Sequence, residues 1–398
     1  MKTMKIGIFG GSFDPVHREH VRLAEAAVRG LSLDRLIVVP AGSPPHKQNR
    51  RLALPGDRIA MCRLAFRDVE KAEICEFEVS QQGASYTYLT CDYIAHKYPG
   101  ARLFLLVGTD MFWDFFHWKN PEIILSYANL AVCRRNESVE NIAKQQEAFY
   151  KAYQRNFDVI PYNGEEVSST EIRTRSVLGM DYSSLVHPDV EQYIRSRGLY
   201  SMPPVLQGLA QEKPARAEHS RRVCLLATGM ASRYGLDETK TLVASALHDV
   251  SKNLAPDHPW LKGFVPPKDV PAPVMHQYSG AYVLEHSFGV RDEDILNAVR
   301  YHTSGRPGMS TLEKVVYLAD LLEPARDFAH IGELRELFKK DLDRCMYLSL
   351  RYETEHLVEK GTPIYPLTLQ AYNYYRRGQQ KAAAAAGKTV GKKTKVTG

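Results

Sequence analysis

Two stretches of the chain carry residue types and spacings suited to phosphate chemistry. The first is Lys5-Ile-Gly-Ile-Phe-Gly-Gly-Ser-Phe-Asp-Pro-Val-His-Arg-Glu-His20. Apolar residues up to Phe9 read as a buried strand. Gly10 and Gly11 let the chain turn and leave backbone N–H groups uncovered. Asp14 and Pro15 stop the strand, and a helical pattern runs from about His17 to Gly30. Free N–H groups and a helix start both favour anions. The spacing is neither the dinucleotide fingerprint nor the P-loop. Instead His17 and His20 share one face of the helix start, where they can donate hydrogen bonds to a phosphate charge that grows during reaction. The second stretch is Ala246-Leu247-His248-Asp249-Val250-Ser251-Lys252. A His-Asp pair in an apolar helical stretch sets a metal-binding imidazole beside a carboxylate, and a buried carboxylate needs a partner or a cation. His219, His276, His302 and Asp320 add N and O ligands without sulfur. That set suits Fe, Mn, Co, Ni or Zn better than a structural zinc site.

Different elements must position the two stretches. Over residues 1–200, strand patterns at Arg35–Pro40, Glu73–Val79, Arg102–Val107, Asn129–Cys133 and Asp158–Pro161 alternate with helical ones at 56–67, 86–98, 138–155 and 169–178. The alternation predicts a parallel sheet covered by helices, with ligands beyond the carboxyl ends of its strands. Gly10–His20, Pro44-Pro45-His46-Lys47 and Gly108-Thr109-Asp110 fall at such ends. Ser168-Ser169-Thr170-Glu171-Ile172-Arg173 holds a capping-box pattern, Ser168 with Glu171, that starts a helix with Arg173 near its first turn. An arginine there can clamp a phosphate. After Tyr200 comes Ser-Met-Pro-Pro, a linker signal. The pattern then turns helical at roughly 216–234, 239–253, 273–288, 291–301, 311–322 and 332–360, an all-α region holding eight of the fourteen histidines. The expected organisation is 1–200, a linker and entry helix at 201–212, a second domain at 213–378, and a basic disordered tail at 379–398.

Composition excludes several classes. With 44% hydrophobic and 25% charged residues the chain is ordinary for a globular protein of 398 residues. No apolar run is long enough to span a bilayer and no signal peptide precedes the first strand, so a cytoplasmic location without a membrane partner is expected. Six scattered cysteines without a CxxC pair fit free thiols. Five lysines in the tail account for all but one of the net charge of +6, so no polyanion-binding surface is implied and no nucleic-acid partner is expected. Whether copies of the chain associate is left open.

The first half resembles the bacterial nicotinate-mononucleotide adenylyltransferases. The resemblance rests on Gly10-Gly11-Ser12-Phe13-Asp14-Pro15-Val16-His17, His20, Pro44–Lys47, Ser85-Tyr86-Thr87, Gly108-Thr109-Asp110, Trp118 and Ser168–Arg173. It implies an α/β nucleotidyltransferase with a Rossmann-like parallel sheet that joins nicotinate mononucleotide to ATP, giving deamido-NAD and pyrophosphate. By resemblance His17, His20, Lys47 and Arg173 hold the ATP phosphates, with Mg²⁺ accompanying the ATP. Gly10, Gly11, Ser12, Phe13, Gly108, Arg134, Ser168, Ser169 and Thr170 belong to the nucleotide site. Ser85, Thr87, Asp110 and Trp118 line the pyridine-nucleotide side. One departure matters: the family has His-x-Gly-His, whereas this chain has His17-Arg18-Glu19-His20. Glu19 adds bulk and negative charge beside the nucleotide. The alternative reading is therefore a first half reduced to a nucleotide-binding regulatory module on a hydrolase or sensor.

Residues 205–378 resemble the HD-superfamily phosphohydrolases of the symmetrical bis(5′-nucleosyl)-tetraphosphatase type. The stretches are Leu247-His248-Asp249 with Lys252, His276 with Gly280-Ala281-Tyr282, and Arg300-Tyr301-His302-Thr303-Ser304-Gly305-Arg306-Pro307-Gly308-Met309 through Ala319-Asp320. The resemblance implies an all-α HD domain that cuts diadenosine tetraphosphate into two ADP. His219, His248, Asp249 and Asp320 would bind the principal metal, with Asp249 also catalytic. His276 and His302 would bind a second metal or the phosphate chain, and Arg216, Lys252, Thr303 and Arg326 the nucleotide phosphates.

Overall fold

A computed structural model describes residues 3–42, 52–81, 83–135 and 139–393. The chain divides into two compact units, one of Met1–Ser176 with Asp181–Tyr200 and one of Val177–Met180 with Ser201–Gly398.

In the first unit the strands β1 (Lys5–Gly11), β2 (Arg35–Pro40), β3 (Ala72–Ile74), β4 (Arg102–Gly108), β5 (Ala128–Arg135) and β6 (Asp158–Tyr162) form one sheet in the order β3-β2-β1-β4-β5-β6. Every pairing is parallel, for example Ile6 with Arg35 and Leu103, by way of Lys5 with Arg102, on either side of β1. The connecting helices are α1 (Arg18–Gly30), α2 (Pro55–Phe66), α3 (Phe77–Ser80), α4 (Thr87–Lys97), α5 (Thr109–Phe115), α6 (Pro121–Tyr127), α7 (Val139–Tyr153), α8 (Ser169–Val177) and α9 (Pro188–Arg197). Alternate side chains of each strand enter opposite cores. Phe9, Leu36, Val38, Phe104, Leu106, Ala131 and Cys133 join α1, α2 and α9 on one face. Ile6, Ile8, Ile37, Val39, Leu103, Leu105, Val107, Leu130 and Val132 join α4 to α7 on the other. Both faces are thus covered, as the run of apolar strands requires. Strand order reverses between β1 and β4, which opens a crevice at their carboxyl ends.

The second unit is helical: α10 (Pro203–Leu209), α11 (Pro214–Ala231), α12 (Glu238–Ala246), α13 (Ala272–His286), α14 (Glu293–Arg300), α15 (Thr311–Leu322), α16 (Ile331–Phe338), α17 (Leu342–Glu359) and α18 (Pro366–Lys393). Val205 and Leu209 of α10 are buried in the core shared by α11 to α15, so 201–212 contributes to this core. Among the described residues no helix is long and apolar enough to cross a membrane. All six cysteines are free thiols.

Several elements differ from the expectations. The strand expected over Glu73–Val79 is cut to β3 and followed by α3, where the Phe77 ring stacks on Tyr93 with centroids 4.2 Å apart. The helix expected at 332–360 breaks at Lys339–Asp341, because Asp341 accepts the Arg344 N–H at 3.0 Å and caps a new helix. The final helix continues to Lys393 where a disordered tail was expected; its alanine run, Ala382–Ala386, is made of the strongest helix former. The helix expected at 239–253 ends at Ala246, so His248 and Asp249 lie in the turn beyond it rather than on it.

Candidate functional site

In the first unit, β1 delivers Gly10 and Gly11 to the crevice. A Cβ at Gly10 would meet nothing within 4 Å, so its backbone faces open space. A Cβ at Gly11 would press on the Phe13 ring at 3.0 Å. Phe13 itself is buried with φ +46° and meets the His20 ring edge-on at 5.0 Å. His17 caps α1. Its backbone N–H donates to His20 Nδ1 at 3.1 Å, and the two rings stack 3.6 Å apart. The spacing read from the sequence therefore becomes a rigid imidazole pair at a helix N-terminus.

The second phosphate signal docks onto the first. Ser168 Oγ accepts the Glu171 N–H at 3.1 Å, the expected cap. Ser169 Oγ donates to the Pro15 carbonyl at 2.9 Å. Arg173 donates to the Asp14 carbonyl and, at 2.8 Å, to Thr170 Oγ1. Asp14 is fully buried, its Oδ1 accepting from Tyr200 Oη at 2.7 Å and Ala53 N at 3.2 Å. Residues 154 and 159 positions apart in sequence are thus bonded together at the crevice.

Sequence reasoning missed Arg58. Although 1% exposed, its guanidinium donates to the carbonyls of Ser12 (2.8 Å), Ala53 (3.2 Å) and Gly42 (3.3 Å), tying the ends of β1 and β2 together. Burial pushes it below the usual arginine range, against the pull of Asp14. The available signal was an arginine on the apolar face of α2, in helical phase with Cys62 and Ala65. Ser85 Oγ accepts the Gly42 N–H at 3.1 Å, which puts it beside the end of β2. Thr87 opens α4, Gly108 ends β4 and caps α5, and Arg134 lies near the end of β5. Trp118 packs on Phe115 at 5.4 Å. Pro44–Lys47 and the Asp110 side chain lie outside the described residues.

Glu19 is buried and its carboxylate is bonded on both oxygens. It is 1% exposed. Its Oε1 lies 3.0 Å from the Arg22 guanidinium and its Oε2 accepts the Glu165 N–H at 3.0 Å. Arg18 and Arg22 both also pair with the Glu165 carboxylate. Two arginines therefore match two glutamates, and the loop after β6 is tied to the first turn of α1. Gly164 is required there, because a Cβ would come within 2.7 Å of Glu19 Oε2.

The second unit gathers its polar residues from five helices or helix ends. Two groups have metal-ligand geometry, His219-His248-Asp320 and His248-Asp249-His302, and they share His248. His219 Nε2 lies 2.9 Å from Asp320 Oδ1. His276 Nε2 and His302 Nε2 lie 3.2 and 3.4 Å from Asp249 Oδ1 and 3.1 Å from each other. Thr303 Oγ1 is 3.0 Å from both rings. Four atoms, His219 Nε2, His248 Nε2, Asp249 Oδ1 and Asp320 Oδ1, are buried without a well-formed hydrogen bond and meet only one another and the neighbouring charged groups in ion-pair contacts. Buried polar atoms are costly unless satisfied, so convergence of two imidazole nitrogens with two carboxylate oxygens fits a divalent cation. Arg216 and Lys252 donate to Asp249 Oδ2 at 2.9 and 3.3 Å, and Arg326 approaches Asp320 Oδ1 at 3.5 Å, so three cations border the cluster.

Electrostatics keep the donors in ligand form. Burial lowers His248 to about 4, leaving it neutral at pH 7. Burial alone would raise Asp249 and Asp320. The neighbouring imidazoles outweigh it and hold both carboxyls below the usual range. Two further carboxylates escaped the sequence reading. Glu323 lies 3.2 Å from His219 Nδ1 and accepts from Arg222 at 2.7 Å; against the effect of burial, these bonds hold it down at about 2. Glu212, buried beside Ser220, is pushed up to about 7, chiefly by burial.

Comparison with known proteins places both units. A cytidylyltransferase-like family model matches residues 8–175, and an HD domain model matches 216–325. A Mycoplasma genitalium protein named "Probable nicotinate-nucleotide adenylyltransferase/Ap4A hydrolase" is 31% identical over 359 residues, covering 87% of this chain and 97% of that protein. The symmetrical bis(5′-nucleosyl)-tetraphosphatase of Bacillus subtilis is 37% identical over 167 residues, 40% of this chain and 89% of its own length. A Clostridium tetani protein named "Probable nicotinate-nucleotide adenylyltransferase" is 33% identical over 197 residues, 49% of this chain and 98% of its own. With the sheet, the helical unit and its candidate ligand cluster, this match over 87% of the chain shows that the chain is an enzyme belonging to the nicotinate-nucleotide adenylyltransferase/Ap4A hydrolase family.

Proposed function

We propose that the first unit transfers adenylyl from ATP to nicotinate mononucleotide and that the second splits diadenosine tetraphosphate into two ADP. The observation that supports this reading is that each unit assembles a constellation suited to phosphate, one of cations and backbone donors, the other of buried ligand-type atoms crowded together without well-formed hydrogen bonds.

In the first reaction a phosphate oxygen of nicotinate mononucleotide forms a bond to the α-phosphorus of ATP. The bond from that phosphorus to the bridging oxygen breaks and pyrophosphate leaves. The nucleophile is already ionised near pH 7, so no general base is needed. Catalysis reduces to alignment and charge neutralisation. His17, His20, Lys47 and Arg173 fill the neutralising role, helped by Gly10, Gly11 and the start of α8. Ser85, Thr87, Asp110 and Trp118 take the pyridine nucleotide, and Mg²⁺ accompanies ATP. The bonding of Glu19 to Arg22 and the Glu165 N–H supports an active site over a disabled one, since its charge is already matched.

In the second reaction water attacks within the phosphate chain, the P–O bond to the departing ADP breaks, and each product keeps two phosphates. His219, His248, Asp249 and Asp320 would hold the principal divalent metal, Fe or one of Mn, Co, Ni and Zn, with His276 and His302 at a second metal or at phosphate. When bound, such a metal supplies Lewis-acid chemistry. Arg216, Lys252, Thr303 and Arg326 bind and orient the phosphates. The test is product analysis with the intact chain: deamido-NAD from nicotinate mononucleotide, ATP and Mg²⁺, with the nicotinamide form in parallel, and ADP alone from diadenosine tetraphosphate. Binding without deamido-NAD formation would instead favour a regulatory first unit.

A further inference from the structure

Four imidazoles turn Nε2 toward the ligand cluster, and three of them, His248, His302 and His219, are held by Nδ1. His248 Nδ1 lies 2.8 Å from the Ser245 carbonyl and His302 Nδ1 lies 2.8 Å from the Val299 carbonyl. A carbonyl only accepts, so both rings carry a proton on Nδ1 and leave Nε2 as a lone pair. Each contact is local, made to the last turn of the helix that the histidine follows. His219 is different. It sits within α11, and its Nδ1 lies 3.2 Å from the side chain of Glu323, 104 residues away. Glu323 is 2% exposed and strongly fixed. It accepts from Arg222 Nε at 2.7 Å and Arg222 Nη2 at 3.3 Å, and from the Ala325 N–H at 2.8 Å. It also follows Asp320 by three residues, at the end of α15. One helix end thus supplies a ligand, Asp320, and the group that aims the ligand facing it.

We infer that Glu323 is a positioning residue that holds His219 with its proton on Nδ1 and Nε2 directed at Asp320 Oδ1, and so sets the metal affinity of the His219-His248-Asp320 group. The inference rests on the metal reading proposed above. Two of these three imidazoles are aimed by main-chain carbonyls. The third depends on one carboxylate. Carboxylates behind metal-bound imidazoles raise ligand basicity and fix the tautomer, and their loss typically costs 10–100-fold in affinity.

The experiment is titration of metal-stripped full chain with Mn²⁺, followed by calorimetry, for the unchanged protein, Glu323→Ala, Glu323→Gln and Asp320→Asn, with thermal unfolding of each. Co²⁺ absorption spectra report the ligand field independently. Glu323→Ala is expected to lose about 10–100-fold in Mn²⁺ affinity and to alter the Co²⁺ spectrum. Glu323→Gln is expected to recover most of the affinity, because its amide oxygen still accepts from Nδ1. If Glu323→Ala fails to fold, the Gln variant paired with Arg222→Gln keeps the packing while removing both charges, and a loss of affinity well below that of Asp320→Asn is expected. Wild-type affinity and spectrum in folded Glu323→Ala would overturn the positioning role while leaving the metal reading intact. Failure of the unchanged protein to bind Mn²⁺ or Co²⁺ would overturn the metal reading and this inference with it.

Discussion

In the first unit the charged groups at the crevice are matched by the chain itself. Arg173 rests on Asp14 and Thr170, Glu19 on Arg22 and the Glu165 N–H, and Arg58 on three carbonyls. In the second unit two histidine nitrogens and two carboxylate oxygens are buried against one another without well-formed hydrogen bonds. Both arrangements suit phosphate, but they suit different steps. A preorganised set of cations and N–H groups can align two nucleotides without help from solvent. A cluster of lone pairs is completed by a cation, and a cation can bring water to the phosphate chain. The same residue type, histidine, therefore does opposite work. On the proposed reading His17 and His20 offer their remaining ring N–H groups to phosphate at a helix start, whereas His219 and His248 offer lone pairs to a cation.

The largest effect that would sharpen this contrast comes from His248, shared by both ligand groups. His248→Ala is expected to lower hydrolysis of diadenosine tetraphosphate by at least about 100-fold and to reduce bound metal, since ligand loss should exceed the outer-shell effect. Deamido-NAD formation should be unchanged. A parallel loss of adenylyl transfer would break the separation. Next, Arg173→Ala should lower adenylyl transfer by about 100-fold with hydrolysis intact, and Arg173→Lys should recover only part, because lysine cannot reproduce the planar fork. Steady-state kinetics on both substrates check this.

A smaller effect is expected at Glu19. Glu19→Gly leaves the Glu165 N–H without its acceptor, at a cost of about 1–3 kcal/mol. The loop carrying Ser168 should loosen, raising the KM for ATP about threefold with kcat less affected. A large gain in kcat would instead mean that Glu19 obstructs transfer. The effect expected at Glu212 is on stability, with both reaction rates left aside. Its folded-state pKa of about 7 exceeds that of the unfolded chain, so it stabilises fully below the unfolded value and the contribution is lost as pH rises through about 7. Unfolding of metal-free protein should thus show Glu212→Gln gaining on the unchanged protein from pH 5 to 8, by at most about 3 kcal/mol.

The sequence made the sheet legible because β1, β2, β4, β5 and β6 are apolar runs between helical patterns, with Gly10-Gly11 and Gly108 marking their ends. The candidate ligand residues were legible because His248-Asp249, His276, His302 and Asp320 are chemically unusual in apolar surroundings. The turn that carries His248 was not, since Ala246-Leu247 continues the helical pattern and only the Ser245 carbonyl contact shows where it stops. Arg58 and Glu323 were hidden for another reason. Their partners lie 46 and 104 residues away, and a lone charged residue in a helix reads as solvent-facing until the fold buries it. The surroundings of Glu19 were hidden from sequence for the same cause: its partner Glu165 is 146 residues distant.

The contrast between the two units is tested most directly by running both reactions of the intact chain in ¹⁸O-labelled water and weighing the products. Label is expected in one ADP for each diadenosine tetraphosphate cleaved, with none in deamido-NAD or in the pyrophosphate released with it. Label in deamido-NAD or pyrophosphate, or ADP free of label, would contradict a division between a site that excludes water and a site that uses it.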